Sequence, residues 1–505
     1  MINLFKHQEI GAKWLEDKKS AALFWTMGTG KTRTVIYAAR RIYEQRKIDR
    51  VLVLCPAAVQ ISWRSELAKI AASESFDYNL LRYDSSELRF KCEYVGGHVN
   101  GNRQHLPFAV VSYAMLQQPR HVKTVSKWAA SGKTALICDE SSFLKNRTAA
   151  QMKGSYEVAS SCDFRWLLSG TPVSNSPLDL WAQAEVMEPA RSAGPNKGFA
   201  NWYAFRAEFV TLVSRKMGQI RFQEVVGYKN LDKLTKRWEK FVSRVEKKDC
   251  LDLPEKVFIE REVALNKETW RIYQEMKKKA LAQFPDGEIK VEPNAAVRLM
   301  RLGQITSGHY GGMETPVITV DEKKSTITHA IECLSDISSE KIDWLLEQIT
   351  EGELSGRVIV WCRWRRERER LALMLKEKGH PYSEICGDQT AKQRDEAIMQ
   401  FETAAMANIP FALLAQPHAG GFGLNLQAAS TAVFLSNDYS WATRMQAEDR
   451  IHRSGQTQKC VYIDVLAVGP DGQRTVDHVI FEALREKNDL ATWTTNQWRK
   501  ALDDE

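Results

Sequence analysis

Five short, mostly apolar runs, separated by stretches with apolar residues at helical spacing, constrain the first half of the chain more than any other feature. They are Ala21-Ala-Leu-Phe24, Arg50-Val-Leu-Val-Leu-Cys55, Phe108-Ala-Val-Val-Ser-Tyr113, Ala135-Leu-Ile-Cys138 and Phe164-Arg-Trp-Leu-Leu168. Runs this short and this apolar read as strands covered on both faces, and their alternation with helices reads as a parallel sheet. In such sheets ligands gather at the carboxyl ends of the strands. The polar clusters stand there: Trp25-Thr-Met-Gly-Thr-Gly-Lys-Thr32 after the first run, Asp139-Glu140 after the fourth and Ser169-Gly-Thr-Pro172 after the fifth.

The glycine-rich stretch carries the sharpest chemistry. A turn through Met27, Gly28, Thr29 and Gly30, followed by a helix from Lys31, aims backbone N–H groups and a helix N-terminus at one point, which suits a polyphosphate. Lys31 would reach the terminal phosphates, and the Thr32 hydroxyl would ligate Mg²⁺. The full phosphate-loop spacing has a glycine where Trp25 stands, so the match is to the shorter Gly-x-Gly-Lys-Thr half. An ordinary glycine turn before a helix is the alternative. Asp139-Glu140 also reads two ways. Asp139 can hold Mg²⁺ while Glu140 activates the attacking water, or the pair can simply start a helix.

A chain of 505 residues exceeds one core and predicts two or three domains. With 71 basic and 63 acidic residues the net charge is +8, which admits a nucleic-acid partner without requiring one. The nine cysteines lie too far apart for a zinc motif and suit buried thiols in a reducing compartment. The N-terminal residues have no signal-peptide pattern, and no apolar window approaches the length of a membrane span. The expectation is a soluble, intracellular protein with no membrane and no zinc.

The order of the clusters resembles helicase superfamily two and, within it, the Swi/Snf-type DNA translocases. Phe5-Lys-His-Gln8 is similar to the family's glutamine motif and Met27–Thr32 to motif I. Leu52–Pro56 with Trp63 is similar to motif Ia, and Val111-Ser-Tyr113, carrying Ser112, to motif Ib. Asp139-Glu-Ser-Ser-Phe-Leu-Lys-Asn146 resembles motif II. Leu168-Ser-Gly-Thr-Pro172, carrying Ser169 and Thr171, resembles motif III, with Asn175 and Leu180-Trp181 as its extension. Two departures stand out. Trp25-Thr26 replace a small acidic element, and Ser141-Ser142 replace the usual Ala-His that couples the ATP site to motif III in related enzymes.

Further along, the aromatics Phe199, Trp202, Tyr203, Phe205 and Phe209 read as a small core, and Leu231, Leu234, Trp238, Phe241, Val242 and Val245 as a helical stripe. Arg244–Lys256 is similar to the basic, Leu-Pro-containing segment with which the family leaves its first lobe. Val257–Val263 reads as an extended crossing segment, followed by helices over 267–284 and 295–305. Arg357–Cys362 resembles motif IV. Some of the arginines in Arg363–Arg370 could meet DNA phosphates, the rest lining a solvated face with Glu367 and Glu369. Ala419–Leu426, with Gly420, Gly423 and Asn425, resembles motif V, although Pro417-His418 replace its usual Ser/Thr-Arg. Asn437–Trp441 is similar to an Asp-x-x-Trp element. Gln446-Ala-Glu-Asp-Arg-Ile-His-Arg-Ser-Gly-Gln456 matches motif VI at every fixed position. It predicts Arg450 and Arg453 on one helix face, aimed at a transferring phosphoryl group.

The resemblance implies an α/β fold of two RecA-like, doubly wound parallel-sheet lobes with helical insertions between them. The expected bounds are 1–250 for the ATP-binding lobe, 251–340 for a linker and helical protrusion, and 341–505 for the helicase lobe. ATP and Mg²⁺ would be bound through Gln8, Met27–Thr32, Asp139, Gly423 and Gln446, with Lys31, Asp139, Glu140, Arg450 and Arg453 as the catalytic set. Pro56, Ser112, Ser169, Thr171, Gly420, Asn425 and Trp441 would couple the site to double-stranded DNA. The implied function is ATP-dependent translocation or remodelling by a compact, monomeric enzyme of recombination, repair or replication. Its setting would be the cytoplasm of a bacterium or phage-infected host, or the nucleus of a eukaryote. Two alternatives stay open: a helicase that separates or anneals DNA or RNA strands, and a nucleotide-dependent DNA clamp with little turnover.

Overall fold

The computed structural model describes residues 4–73, 76–96, 105–173, 176–191, 193–217, 220–250, 252–281, 293–311, 314–321, 324–331, 335–350, 352, 354, 356–417 and 426–486. They form two compact units, one running to Asp252 and the other spanning Leu253–Glu486.

The first unit is built on an eight-stranded sheet. Its strands are β1 (Ser20–Leu23), β2 (Arg50–Cys55), β3 (Tyr78–Asp84), β4 (Arg89–Gly96), β5 (Leu106–Ser112), β6 (Thr134–Asp139) and β7 (Phe164–Leu168). After a separate hairpin of β8 (Val210–Met217) and β9 (Ile220–Tyr228), the sheet is completed by β10 (Val242–Ser243). The order is β10-β1-β7-β6-β2-β5-β3-β4, parallel throughout except for the antiparallel edge pair β3–β4. Successive residues of a strand point to opposite faces. Accordingly Leu52, Leu54, Leu136 and Cys138 enter one core, while Val51, Val53, Ala135 and Ile137 enter the other. The first core is closed by helices Pro119–Ala130, Ala150–Ala159 and Asp179–Met187. The second is closed by α1 (Lys6–Glu16), α2 (Lys31–Glu44) and the helix Gln60–Ser73. A fully buried Leu or Ile contributes roughly 1.5–3 kcal/mol, so strands apolar on both faces have no stable alternative to this central position.

The aromatic group of residues 199–209 is largely core, as its composition predicts. Phe205 and Phe209 are buried, Phe199 and Trp202 pack around them against Trp181, and Tyr203 alone of the five is exposed. The expected helical stripe is shorter than its pattern. The helix covers only Leu231–Glu239, and Val242 belongs to β10, paired with Ala22 of β1. A spacing of three and four residues fits a helix, but the edge of β1 offers backbone partners that a continued helix would leave unmet.

The second unit has a six-stranded, wholly parallel sheet. Its chain order runs β11 (Lys256–Ala264), β12 (His309–Tyr310), β13 (Glu314–Asp321), β14 (Lys324–Ile331), β15 (Ser335–Asp336), β16 (Arg357–Trp361), β17 (Tyr382–Ile385), β18 (Phe411–Ala415), β19 (Thr431–Phe434) and β20 (Cys460–Val468). The sheet order is β11-β20-β19-β16-β18-β17, with β12–β15 and β13–β14 as separate antiparallel pairs. The stretch read as a crossing segment is therefore the edge strand β11, in register with β20 along its whole length. Helices Lys267–Leu281 and Pro293–Thr306 follow. They pack Tyr273, Leu302 and Ile305 against Val476, Ile480 and Leu484. Residues 282–284, expected to continue the first of these helices, lie outside the described set.

The run Arg363–Arg370 departs from a solvated face at Glu367. This carboxyl is buried and accepts a hydrogen bond from Ser436 Oγ, which in turn accepts one from the Arg363 N–H at 2.8 Å. Arg368 is also buried and pairs with Glu384, and Arg370 donates to the carbonyls of Gly308 and Ser338. Burial pushes the Glu367 acid up to about 7 against the pull of Lys341. The folded protein thus holds this proton more tightly than the unfolded chain. The stability it contributes is complete below the ordinary value of 4.5 and is lost as pH rises through about 7. Glu367→Gln, which fixes the neutral form, is expected to stabilise the protein at pH 8 by on the order of 3 kcal/mol at most. The two proteins should converge below about pH 5 in denaturant melts; a pH-independent difference would refute the assignment.

Candidate active site

The loop between β1 and α2 is held from three sides. Gly28 and Gly30 both take left-handed conformations, with φ of 79° and 85°, so the chain turns sharply before α2 begins. Gly30 has a second reason to lack a side chain, since a Cβ there would lie 2.0 Å from Gln8 Nε2. That Nε2 donates to Thr29 O at 3.2 Å, and Gln8 Oε1 accepts from the Phe5 N–H at 3.0 Å. Gln8 therefore caps α1 and ties it to the loop, with His7 Nε2 adding a contact to Thr29 O at 2.9 Å. Thr29 is buried, its hydroxyl donating to Thr26 O.

Trp25 explains its own departure from the glycine pattern. The ring is fully buried and fills the space that a Cβ on Gly11 of α1 would take, at 2.5 Å. Its Nε1 donates to Ser243 Oγ at 3.0 Å in β10. The next residue continues the attachment, Thr26 N donating to Val245 O at 2.9 Å. The loop entrance is thus clamped between the first helix and the last strand of its unit. Lys31 Nζ donates to Trp25 O at 2.9 Å and to Thr26 O at 3.3 Å, which draws the ammonium across the loop. Thr32 follows it in the first turn of α2 and is half-buried.

β7 and then β6 lie beside β1, so three polar clusters leave the same edge of three adjacent parallel strands. Asp139 ends β6. Its Oδ2 accepts from Trp63 Nε1 at 2.8 Å, and its Oδ1 from the Glu140 N–H at 3.0 Å. Burial raises the Asp139 acid, while the Trp63 hydrogen bond and then the charge of Lys31 act to lower it. The charge of Lys31 thus acts on Asp139 across the strand ends. Tyr113 OH donates to Asp139 O at 2.8 Å from beneath. Glu140 has φ 50° and ψ 53°, a left-handed conformation that costs a non-glycine residue on the order of 1–3 kcal/mol and turns the chain sharply at the strand end. Ser169 and Thr171, after β7, are buried, and Gly170 between them lies against the loop. A Cβ on Gly170 would meet Met27 Cγ at 2.7 Å. Pro56 directly follows β2 and Ser112 ends β5, both buried.

Trp63 was legible only as part of motif Ia, and nothing in the spacing marks it as the residue that holds Asp139. Tyr113 is the same case. Asn175 lies outside the described residues, as do Gly420, Gly423 and Asn425.

In the second unit the motif VI stretch departs from expectation. Helix Trp441–Glu448 ends with Asp449 as its cap, so Arg450 and Arg453 stand in the turns that follow and do not share a helix face. The hydrogen bonds tighten there, Arg450 N reaching Ala447 O and Arg453 N reaching Ile451 O. Gly455 then takes φ 99°. Long-range partners hold the chain at and beyond the helix end. Tyr462 OH donates to Glu448 O at 2.8 Å, Leu426 N to Arg450 O at 3.2 Å, and Gln456 Nε2 to Gln427 O and Ala429 O. The segment entering β11 grips the same turn. Lys256 Nζ lies 3.1 Å from Glu448 Oε2 and 3.7 Å from Asp449 Oδ1, and His452 Nε2 lies 2.9 Å from Pro254 O. Gln446 is buried within the helix, whereas Trp441 at its start packs partly buried near Tyr273. Arg444, which motif spacing did not single out, anchors the helix. Its guanidinium pairs with Glu448 and Asp464 and lies 3.5 Å from the Phe434 ring centre.

Comparison with known proteins gives this geometry a lineage. Residues 7–307 match the family model described as SNF2-related domain, and residues 340–455 match the helicase conserved C-terminal domain. An uncharacterised ATP-dependent helicase of Mycoplasma genitalium is 23% identical over 97% of this chain and 42% of its own length. A chromodomain-helicase-DNA-binding protein 1-like of Danio rerio is 25% identical over 100% of this chain and 45% of its own. The chain thus spans less than half the length of these curated relatives. The solved SWI2/SNF2 ATPase core of Sulfolobus solfataricus with dsDNA aligns at 20% identity, covering 98% of this chain and 94% of that one, with a TM-score of 0.40. The family model covers more than half of the residues, and the chain belongs to the SNF2-related family.

Proposed function

We propose that this protein hydrolyses ATP and uses the cycle to translocate on, and remodel, double-stranded DNA. The observation that carries the reading is that a loop with two left-handed glycines, leading to Lys31 at the start of α2, and the buried Asp139 leave the same edge of one parallel sheet, after β1 and at the end of β6. A glycine loop opening a helix, an ammonium at the helix start and a carboxylate held by Trp63 form a set of groups that fits a Mg²⁺–triphosphate. Mg²⁺, when bound, would supply positive charge against the negative charge that develops on the phosphates. The Thr32 hydroxyl and Asp139 would hold it, and Lys31, which donates to Trp25 O and Thr26 O, would turn its ammonium to the phosphates. Glu140 takes a proton from the attacking water. Gln8 recognises adenine with the same amide that ties α1 to the loop.

Arg450 and Arg453 stabilise the transferring phosphoryl charge, and the grip of Lys256 and Pro254 on their turn sets where they stand. Duplex DNA as the track is supported by the motif VI wording and by relatives named as helicases and as DNA-binding. Recombination, repair or replication is the process this activity would serve.

Purified protein is expected to turn over ATP faster with duplex DNA than with single strands or RNA. Lys31→Ala should lower kcat by about 10²–10³-fold, the usual loss for one preorganised charge at such a site. Equal rates with all nucleic acids, or full activity of Lys31→Ala, would reject the reading. Lys256→Met should lower kcat by about tenfold with little change in the KM for ATP, because it acts on the arginine-bearing turn and not on the phosphate loop. A change confined to KM would contradict that role.

A further inference from the structure

The turn after β7 and the carboxylates after β6 are joined by a buried chain of hydrogen bonds. Ser141 Oγ donates to Gln183 Oε1 at 2.7 Å, and Gln183 Nε2 donates to Pro172 O at 2.7 Å and to Asp179 O at 3.0 Å. Ser141 and Gln183 are both completely buried. Gln183 sits in helix Asp179–Met187 among Leu180, Trp181, Ala182 and Ala184, positions otherwise given to the core. An amide in such a place is costly unless its groups are paired, and here both ends are. The hydroxyl of Thr171, beside Pro172, contrasts with it. It is buried with no hydrogen-bond partner among the described residues, so it gives the turn no hold of its own.

The chain of bonds therefore ties Pro172 to Ser141. Ser141 directly follows Glu140, whose left-handed backbone leaves little freedom to absorb a shift. On its other side the same turn packs Gly170 against Met27 of the phosphate loop. A displacement of the Ser-Gly-Thr-Pro turn would reach both the loop and the carboxylate.

We propose that the Ser141–Gln183–Pro172 hydrogen-bond chain is the link through which the turn after β7 sets the Glu140 carboxylate, making Ser141 and Gln183 positioning residues for DNA-stimulated turnover. This rests on the function proposed above. The test measures ATP turnover with and without duplex DNA, together with thermal stability, for wild type, Ser141→Ala, Gln183→Met and the double variant. Removing both partners of a buried pair in favour of apolar groups of similar shape is close to neutral for folding, whereas removing one strands the other.

Gln183→Met strands both the Ser141 hydroxyl and Pro172 O, and the double variant only the latter, so the double variant should melt above Gln183→Met. All three variants should nevertheless lose stimulation by DNA, by about tenfold, with the KM for ATP near that of wild type. Recovery of stimulation together with stability in the double variant would show the chain to be packing only and overturn the proposal. Wild-type-like stimulation in either single variant would do the same. A wild-type enzyme that hydrolyses ATP without any response to duplex DNA would overturn the functional reading and this inference with it.

Discussion

A carboxylate buried at the end of a parallel strand needs donors that can hold it there, and the upper face of the first unit is arranged around that need at Asp139. Desolvation pushes its acid up, and the indole of Trp63, the charge of Lys31 and the next backbone N–H oppose it. Each donor comes from a different part of the chain. Trp63 arrives on a helix after β2, Lys31 opens α2 after β1, and Tyr113 fixes the carbonyl from the end of β5. Misplacing any one element would strand a buried charge, at a cost comparable to a large part of the net stability of a domain. The strand order that brings β1, β7 and β6 side by side is thus a requirement of the site as much as of the core.

The loop that faces Asp139 shows the same economy. Gln8 and Gly30, Trp25 and Gly11, and Met27 and Gly170 are three pairs in which a bulky or polar side chain occupies the space a small partner leaves. Two of these small partners, Gly11 and Gly170, lie outside the loop. Conformational freedom is needed at Gly28 and Gly30, and room is needed at the others. Trp25 in the place of a first glycine is consistent with this. The loop takes its shape from left-handed turns further on and gains an anchor in β10 through Ser243.

Much of this was legible because burial on both faces writes an unambiguous pattern. Residues 51–55 and 135–138 can be little other than central strands, and polar residues directly after them mark the ligand edge. Where the period was short or ambiguous, the reading failed for stated reasons. Two-residue β10 has no pattern of its own and was absorbed into a helical stripe whose spacing its residues happen to share. Glu367, flanked by arginines, looked solvated, yet Ser436 draws it inside. Arg450 and Arg453 have helical spacing, but the helix ends at Glu448, where Tyr462 and Lys256 also hold the chain. Trp63 and Gln183 could not be found by spacing, since Asp139 and Ser141 lie far off in sequence, and for Arg444 the spacing offers Glu448 but not Asp464.

The translocase reading proposed above is that ATP turnover drives movement along duplex DNA rather than the parting of its strands. The most direct measurement is displacement of a third strand from a long duplex, run beside a forked duplex under the same conditions. The account predicts that the third strand is released in an ATP-dependent manner while the strands of the fork stay paired. Separation of the fork with the third strand left in place would contradict it.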